Sequence, residues 1–223
     1  MHPKIISFAI GIIFLLASCH TTKNINDSTR KQMQEELRAM VKIDQVAAFQ
    51  KQGVYKDYSE EAWQSFKDSV FQTNQKNIAR YFAKYGFLGF KEVGEESSQH
   101  FWLLVQHCDH DPKFQKRVLA KMDKEIKKKN AKPENYAYLF DRVQINAGEK
   151  QQFGTQVTYL AKTTGRAIPK IGLVDSIHVD QRRAMYNLPP LKKYLNDMTK
   201  LHFQMNKDSY EKNGYTAPDL YSE

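Results

Sequence analysis

Helical periodicity over most of the chain is the strongest constraint on its fold. Apolar residues recur every three or four positions, and the first such stripe comprises Met33, Leu37, Met40, Val41, Ala47 and Ala48. Asp27 or Ser28 can cap the start of this helix, and Gly53 is predicted to end it. The same signals predict a second helix from Ser59 to Tyr85.

Three further helices are predicted in the middle of the chain. The third follows a glycine-containing loop over residues 86–97 and continues to His107, and its centre is apolar on all sides, which predicts a central position. The fourth begins at Asp111-Pro112, where an N-cap residue precedes a proline, and runs to about Lys129. The fifth is predicted from Pro133 to Gly148.

The pattern changes after the fifth helix. Two short β-like runs, residues 156–160 and 167–171, lie on either side of Thr163-Thr164-Gly165 and predict a small hairpin, with Pro169 at a sheet edge. Two more helices are predicted at about 178–187 and 190–206. The expected fold is therefore mainly α, a compact helical domain of about six or seven helices with a small β-hairpin.

Composition supports one globular domain. Hydrophobic residues make up 41% of the 223 positions and charged residues 26%, which is ordinary for a folded chain. Connections between the predicted elements are short, as in a single domain. We expect a signal peptide over residues 1–18, a tether over 19–27, one helical domain over 28–206 and a polar C-terminal tail over 207–223.

The N-terminus indicates where the protein is located. Ile5 to Ala17 is a run of 13 mostly apolar residues, which suits a signal-peptide core and is too short for a membrane-spanning helix. It ends in Leu16-Ala17-Ser18-Cys19, which resembles the lipobox of bacterial lipoproteins. The resemblance implies cleavage before Cys19 and acylation of that residue with fatty acids that include palmitate. These acyl chains would anchor the protein in a membrane. An ordinary secretory signal with an incidental cysteine is the alternative.

The same resemblance bears on localisation. His20 follows the cysteine, in place of the Asp associated with inner-membrane retention, so a cell-envelope location at the outer membrane is expected. Display toward the periplasm and toward the exterior both remain open. Acylation of Cys19 would leave Cys108 without an intramolecular partner. Cys108 shares a helix face with Phe101 and Leu104, which predicts burial, and a thiol nucleophile is the alternative.

Positive charge is concentrated in the predicted fourth helix and the residues that follow it. Nine basic and two acidic residues lie between Lys113 and Lys132, whereas the whole chain has a net charge of +9. One interpretation is a surface for anionic partners of the envelope, formed by Lys121, Lys124, Lys127 and Lys128. The other is a solvated helix face whose lysines complement the helix dipole. No motif supports nucleic-acid binding.

Polar residues interrupt the apolar pattern at two places. Asp44 lies within the apolar stripe of the first helix, where a carboxylate needs a partner or a cavity. His107, Asp109 and His110 form the densest titratable cluster of the chain, next to a helix end. They could serve as helix caps and structural groups, as an acid/base pair of His107 with a carboxylate, or as mixed metal ligands. Asp111 is expected to act as the N-cap of the fourth helix.

Several motifs over about residues 30–200 resemble a bacterial domain family of unknown function. They are Asp44-Gln45, Gln106-His107-Cys108-Asp109, Asp141-Arg142, Gly154-Thr155-Gln156, and Arg182-Arg183 with Leu188-x-Pro190-Leu191. The resemblance implies a set of characteristic polar residues: Asp44, Gln45, His107, Asp109, Asp141, Arg142, Gln156 and Arg183. The family pattern has Ala where Cys108 stands, which argues against a catalytic thiol, and Tyr where Phe153 stands.

Two classes of function follow from these observations. The first is a lipid-anchored ligand-binding or scaffold module, with Gln45, Asp141, Arg142, Gln156 and Arg183 as candidate ligand-binding residues. The second is an acid/base or hydrolytic enzyme that uses His107 with Asp109 or Asp44. Gly-rich phosphate loops, nucleophile elbows and zinc-protease motifs are not found, and no cofactor or metal is predicted. We expect Asp44, His107, Asp109, Arg142 and Gln156 to line one pocket.

Overall fold

The computed structural model describes residues 25–160 and 163–222. The predicted signal peptide and Cys19 lie outside the described residues. Within this part, a mainly α fold with a small hairpin is confirmed. Its helices are α1 (Asp27–Ala48), α2 (Glu60–Tyr85), α3 (Phe90–Val93), α4 (Glu95–Gln106), α5 (Pro112–Lys127), α6 (Pro133–Asn146), α7 (Val179–Met185), α8 (Leu191–Met205) and α9 (Lys207–Lys212). None of these helices combines the length and the apolarity needed to cross a membrane.

The ends of the long helices follow local side-chain chemistry. Ser59 caps α2 by accepting a hydrogen bond from the Ala62 amide, and Asp111 caps α5 by accepting one from the Phe114 amide. The start of α1 differs from prediction, because Asn26 accepts a hydrogen bond from the Thr29 amide and takes the capping role. This helix ends at Ala48, earlier than predicted.

Helix α3 lies in a segment that the sequence predicts to be a loop. It has only four residues and is bounded by Gly89 and Gly94, so helical periodicity cannot be detected there. A buried residue from elsewhere, Asn130, holds it in place. The Asn130 side-chain oxygen accepts a hydrogen bond from the Lys91 amide, and its main-chain oxygen accepts one from the Phe90 amide.

The main apolar core lies among α1, α2, α4, α5 and α6. Helix α4 contacts all of the others as well as α3, which agrees with its predicted central position. Phe101, Leu104 and Phe114 are among the fully buried side chains of this core. Cys108 lies in the same core, and its thiol donates to the Leu104 carbonyl oxygen at 3.2 Å. The predicted burial of Cys108 is thus confirmed. Burial raises the pKa of the thiol, which therefore stays protonated at neutral pH.

The hairpin consists of β1 (Val157–Tyr159) and β2 (Ala167–Pro169), which pair antiparallel with Val157 opposite Pro169. Helix α8 packs on β2, where the Thr199 hydroxyl accepts a hydrogen bond from the Ala167 amide. Residues after 206, predicted as a polar tail, include α9 and return to the hairpin. There the Tyr221 hydroxyl donates to the Ala167 carbonyl oxygen at 2.9 Å.

Candidate functional site

A contact between a buried carboxylate and an imidazole lies at the centre of the candidate site. Asp44 is on the buried face of α1 and is fully buried, whereas His107 is the C-cap residue of α4 and is partly exposed. The distance from Asp44 Oδ2 to His107 Nδ1 is 2.6 Å. The structure thus brings together the two residues that interrupt the apolar pattern of their helices.

Hydrogen bonding fixes the orientation of the imidazole. The other groups around Asp44 are amide donors: Gln45 Nε2 lies 3.2 Å from Oδ2, and Asn74 Nδ2 lies 3.5 Å from Oδ1. The Gln45 and Asn74 amide groups can only donate to the Asp44 oxygens, so Asp44 acts as the acceptor in each of these contacts and His107 Nδ1 is the donor in the third. His107 Nε2 has no hydrogen-bond partner among the described residues. The Phe71 ring lies beside the imidazole, with 5.4 Å between ring centroids.

His107 is part of the wall of an open pocket with a volume of about 520 Å³. The pocket lies between the end of α1, the middle of α2, the α4–α5 connection and α6. Its lining consists of Ala48, Lys67, Asp68, Phe71, His107, Asp109, His110 and Arg142. Three of the residues expected in a shared pocket, His107, Asp109 and Arg142, therefore lie together, with Asp44 behind His107.

Asp109 is engaged by cationic and amide donors. Arg142 binds it with two parallel hydrogen bonds, 2.8 Å from Nε to Oδ1 and 2.6 Å from Nη2 to Oδ2. Asn146 Nδ2 donates to Oδ1 at 2.7 Å, and the buried Gln115 donates to the same oxygen at 3.3 Å. Partial burial acts to raise the pKa of Asp109, but these donors outweigh it and hold the pKa below its ordinary value. Asp109 is therefore ionised at neutral pH and paired with Arg142. Of the two carboxylates predicted as partners of His107, Asp44 is the one that contacts it.

Sequence reasoning missed the contribution of α2 to this pocket. Lys67 and Asp68 look like ordinary surface charges, and Phe71 looks like one more apolar residue of a helical stripe. They reach the pocket because α2 packs beside α1 and α4. Lys67 has no carboxylate within 4.0 Å among the described residues, whereas Asp68 accepts a hydrogen bond from Gln64.

Asp141, Gln156 and Arg183 lie elsewhere, and the expectation that Gln156 lines the pocket is not met. Asp141 and Arg142 are adjacent in sequence and so point about 100° apart around α6. Asp141 faces the loop before the hairpin. Its carboxylate accepts hydrogen bonds from the amides of Gln152, Phe153 and Thr155 and from the Thr155 hydroxyl.

The other two residues also bind main-chain groups. The Gln156 side chain donates to the Tyr138 carbonyl oxygen at 3.4 Å, one helical turn before Arg142. Arg183 is fully buried and donates to the carbonyl oxygens of Phe153 and Pro189, each at 2.6 Å. In the described parts of the chain, no three His, Cys, Asp or Glu side chains are arranged to hold a metal ion. His110 is exposed at the pocket edge.

Comparison with known proteins agrees with the family resemblance of the sequence motifs. The sequence profile of a family of unknown function, DUF6624, matches residues 31–203, which span α1 to α8 and include every residue of the site described above. No curated protein and no solved structure matches the chain. The match covers well over half of the chain, and the protein therefore belongs to the DUF6624 family.

Proposed function

We propose that this protein is a lipid-anchored cell-envelope protein that binds a small polar ligand in the His107 pocket. The observation that carries the binding proposal is the 2.6 Å contact between buried Asp44 and His107 at the pocket wall. This contact orients the imidazole and leaves His107 Nε2 available to a ligand. Taking a carboxylate out of water costs free energy that its polar contacts largely only offset, so a role in the site explains the buried Asp44 and its contact with His107 better than stability does.

The pocket lining indicates what kind of ligand fits. Lys67 and Arg142 provide positive charge, Asp68 and Asp109 provide negative charge, and Phe71 provides an apolar surface. Arg142 and Asp109 neutralise each other, whereas Lys67 has no carboxylate partner in the described structure. A small ligand with an anionic or hydrogen-bond-accepting group near Lys67 and His107 matches this arrangement.

General acid/base catalysis is the second candidate, and the Asp44–His107 contact favours it as well. A carboxylate that holds Nδ1–H leaves Nε2 unprotonated in the neutral imidazole, so this nitrogen can take a proton from water or a substrate hydroxyl. The pocket-lining side chains of the described structure include no Ser, Thr or Cys, so water is the nucleophile in a hydrolytic version of this proposal.

One experiment tests binding and catalysis together. Purified protein is incubated with the small-molecule fraction of a cell-envelope extract, and mass spectrometry follows retained and converted compounds. A compound that the wild type retains and that His107→Asn and Lys67→Gln do not retain supports the binding proposal. Conversion of a compound by the wild type but not by His107→Asn or Asp44→Asn supports the catalytic proposal.

A matched control comes from a remote ion pair of the same charge type. Asp123 accepts a hydrogen bond from Lys127 on the surface of α5, away from the pocket, so Asp123→Asn and Lys127→Gln should behave as the wild type. If no compound is retained or converted, or if the pocket variants and the control variants behave alike, the proposed function is wrong.

The anchoring proposal is supported by Leu16-Ala17-Ser18-Cys19 and is tested separately. Cys19→Ala should release the protein from the membrane or block its maturation, because two or more acyl chains supply the affinity. Mass spectrometry of the mature N-terminus should show a chain that starts at acylated Cys19. An unmodified N-terminus elsewhere would contradict lipid anchoring and leave the pocket proposal intact.

A further inference from the structure

A second pocket, with a volume of about 320 Å³, lies at the other end of α5 from the His107 site. Four lysines line it, and they come from two separate parts of the sequence: Lys91 from α3, and Lys121, Lys124 and Lys128 from α5 and its C-cap. Two glutamates, Glu92 and Glu125, share the lining. The concentration of positive charge predicted from the sequence is thus partly arranged around a concave site.

Asn130 explains how Lys91 reaches the lysines of α5. This residue follows α5 and is almost fully buried, and it binds the Lys91 amide at 2.8 Å and the Phe90 amide at 3.1 Å. Gly89 permits the close approach, since a Cβ atom at this position would lie 2.4 Å from the Asn130 carbonyl oxygen. The beginning of α3 is therefore fixed against the end of α5, and the four lysines are held around the pocket.

Internal contacts already occupy the two glutamates. Glu125 binds Lys128 at 2.8 Å and the Asn130 amide group at 2.8 Å. Glu92 accepts hydrogen bonds from the Gly89 amide at 3.1 Å and from Asn130 at 2.9 Å. The remaining three lysines are Lys91, Lys121 and Lys124. In contrast to Lys128, their ammonium groups have no carboxylate within 4.0 Å among the described residues.

We propose that this lysine pocket binds the phosphate group of an anionic lipid headgroup. Three ammonium groups without a carboxylate partner, offset only by the charge of Glu92, match a compact phosphate anion, for which lysine acts as a point-charge ligand. Lys127 does not belong to the site, because it pairs with Asp123 at 2.9 Å and does not line the pocket. The lysines of the pocket are therefore distinct from the other basic residues along α5.

The position of the pocket supports a membrane source for the phosphate. Two residues of the first turns of α1 bind α3 directly: Arg30 donates to the Lys91 carbonyl oxygen at 2.9 Å, and Gln34 donates to that of Val93 at 2.7 Å. Cys19 precedes the α1 cap, Asn26, by seven residues, a length of chain that cannot exceed about 25 Å. The inference that the phosphate belongs to a membrane lipid rests on the proposed anchoring at Cys19. Phosphate binding by the lysine pocket does not depend on that anchoring.

The test uses a lipid-free chain from residue 19 onward with Cys19→Ser, which keeps every contact described here. Binding of inorganic phosphate is measured by NMR, and binding to phosphatidylglycerol vesicles by sedimentation, with phosphatidylcholine vesicles for comparison. Lys121→Gln/Lys124→Gln should weaken binding to the anionic vesicles about 30-fold, since each lysine near an anionic surface contributes about a factor of five. Free phosphate should compete, and phosphatidylcholine should not bind.

The matched control is Lys113→Gln/Lys127→Gln, which removes the same charge from α5 outside the pocket. This control should keep phosphate binding and most of the vesicle binding. Equal losses in the two double variants, or no phosphate binding by the wild type, would overturn the lysine-pocket proposal. Phosphate binding without binding to anionic vesicles would overturn the lipid headgroup as the source. None of these results depends on the outcome of the Cys19→Ala or extract experiments.

Discussion

The helices α1–α6 and the segment after them, residues 149–160 and 163–222, are stabilised in different ways. The helical region is built on one large apolar cluster, to which α1, α2, α4, α5 and α6 all contribute. Among the described residues, the apolar cluster that the following segment shares with α6 is small and consists of Ala137, Phe153 and Leu188. In this segment, buried polar side chains that bind main-chain groups of the loops add to a limited amount of apolar packing.

Two buried charged residues illustrate the second mode of stabilisation. Asp141 reaches out of α6 to accept four hydrogen bonds from the loop that precedes the hairpin. Arg183 binds the same loop at the Phe153 carbonyl oxygen, and its guanidinium carbon lies 4.9 Å from the centre of the Tyr194 ring. The comparison teaches that the helical region is specified by apolar spacing, whereas the segment after it is specified by individual polar contacts.

The largest effects on the free energy of unfolding are expected for two substitutions, one in each region. Phe101→Ala removes a fully buried ring and should lower the free energy of unfolding by about 3–5 kcal/mol. Asp141→Ala leaves three loop amides without their acceptor and should lower it by about 3 kcal/mol. Hydrogen exchange distinguishes the two, because the loss of Asp141 should accelerate exchange mainly in residues 151–157. Uniform acceleration by Asp141→Ala would contradict the difference between the regions.

Arg183→Met should have a smaller effect within the polar segment. Methionine keeps much of the apolar stem but leaves the Phe153 and Pro189 carbonyl oxygens without a donor, so a loss of about 2 kcal/mol is expected. Denaturant unfolding measures this value, and Lys193→Met, a change at an exposed residue of α8, serves as the control. Unchanged stability in Arg183→Met would show that apolar packing suffices for this segment too.

The smallest effect is expected at the exposed edge of the His107 pocket. Arg142→Gln removes a partly exposed ion pair, so the loss at neutral pH should be about 0.5–1 kcal/mol. Folding lowers the pKa of Asp109, so this stabilisation is present above the ordinary pKa of 3.8 and is lost as the pH falls through the folded-state value. Unfolding free energies of the wild type and the variant should therefore converge in acid. A difference that grows in acid would contradict the assigned ion pair.

The elements that follow from periodicity and capping could be predicted, and those that depend on one long-range contact could not. Ser59 and Asp111 mark helix starts because an N-cap acts on residues two or three positions away. Asn130 gives no such signal, since its role depends on α3, which is distant in sequence. Asp44 and His107 stand out as polar interruptions of apolar helices, whereas Lys67 on the polar side of α2 does not.

The assignment of Asp44 as the residue that orients His107 is the central claim, and the tautomer of the imidazole tests it most directly. Long-range ¹H–¹⁵N NMR at a pH where His107 is neutral should show hydrogen on Nδ1 and none on Nε2, because Nδ1 donates to Asp44 at 2.6 Å. In Asp44→Ala the spectrum should change toward a mixture of the two tautomers. A wild-type His107 with its hydrogen on Nε2 would contradict the claim, because Asp44 would then not receive the hydrogen bond on which the proposed site depends.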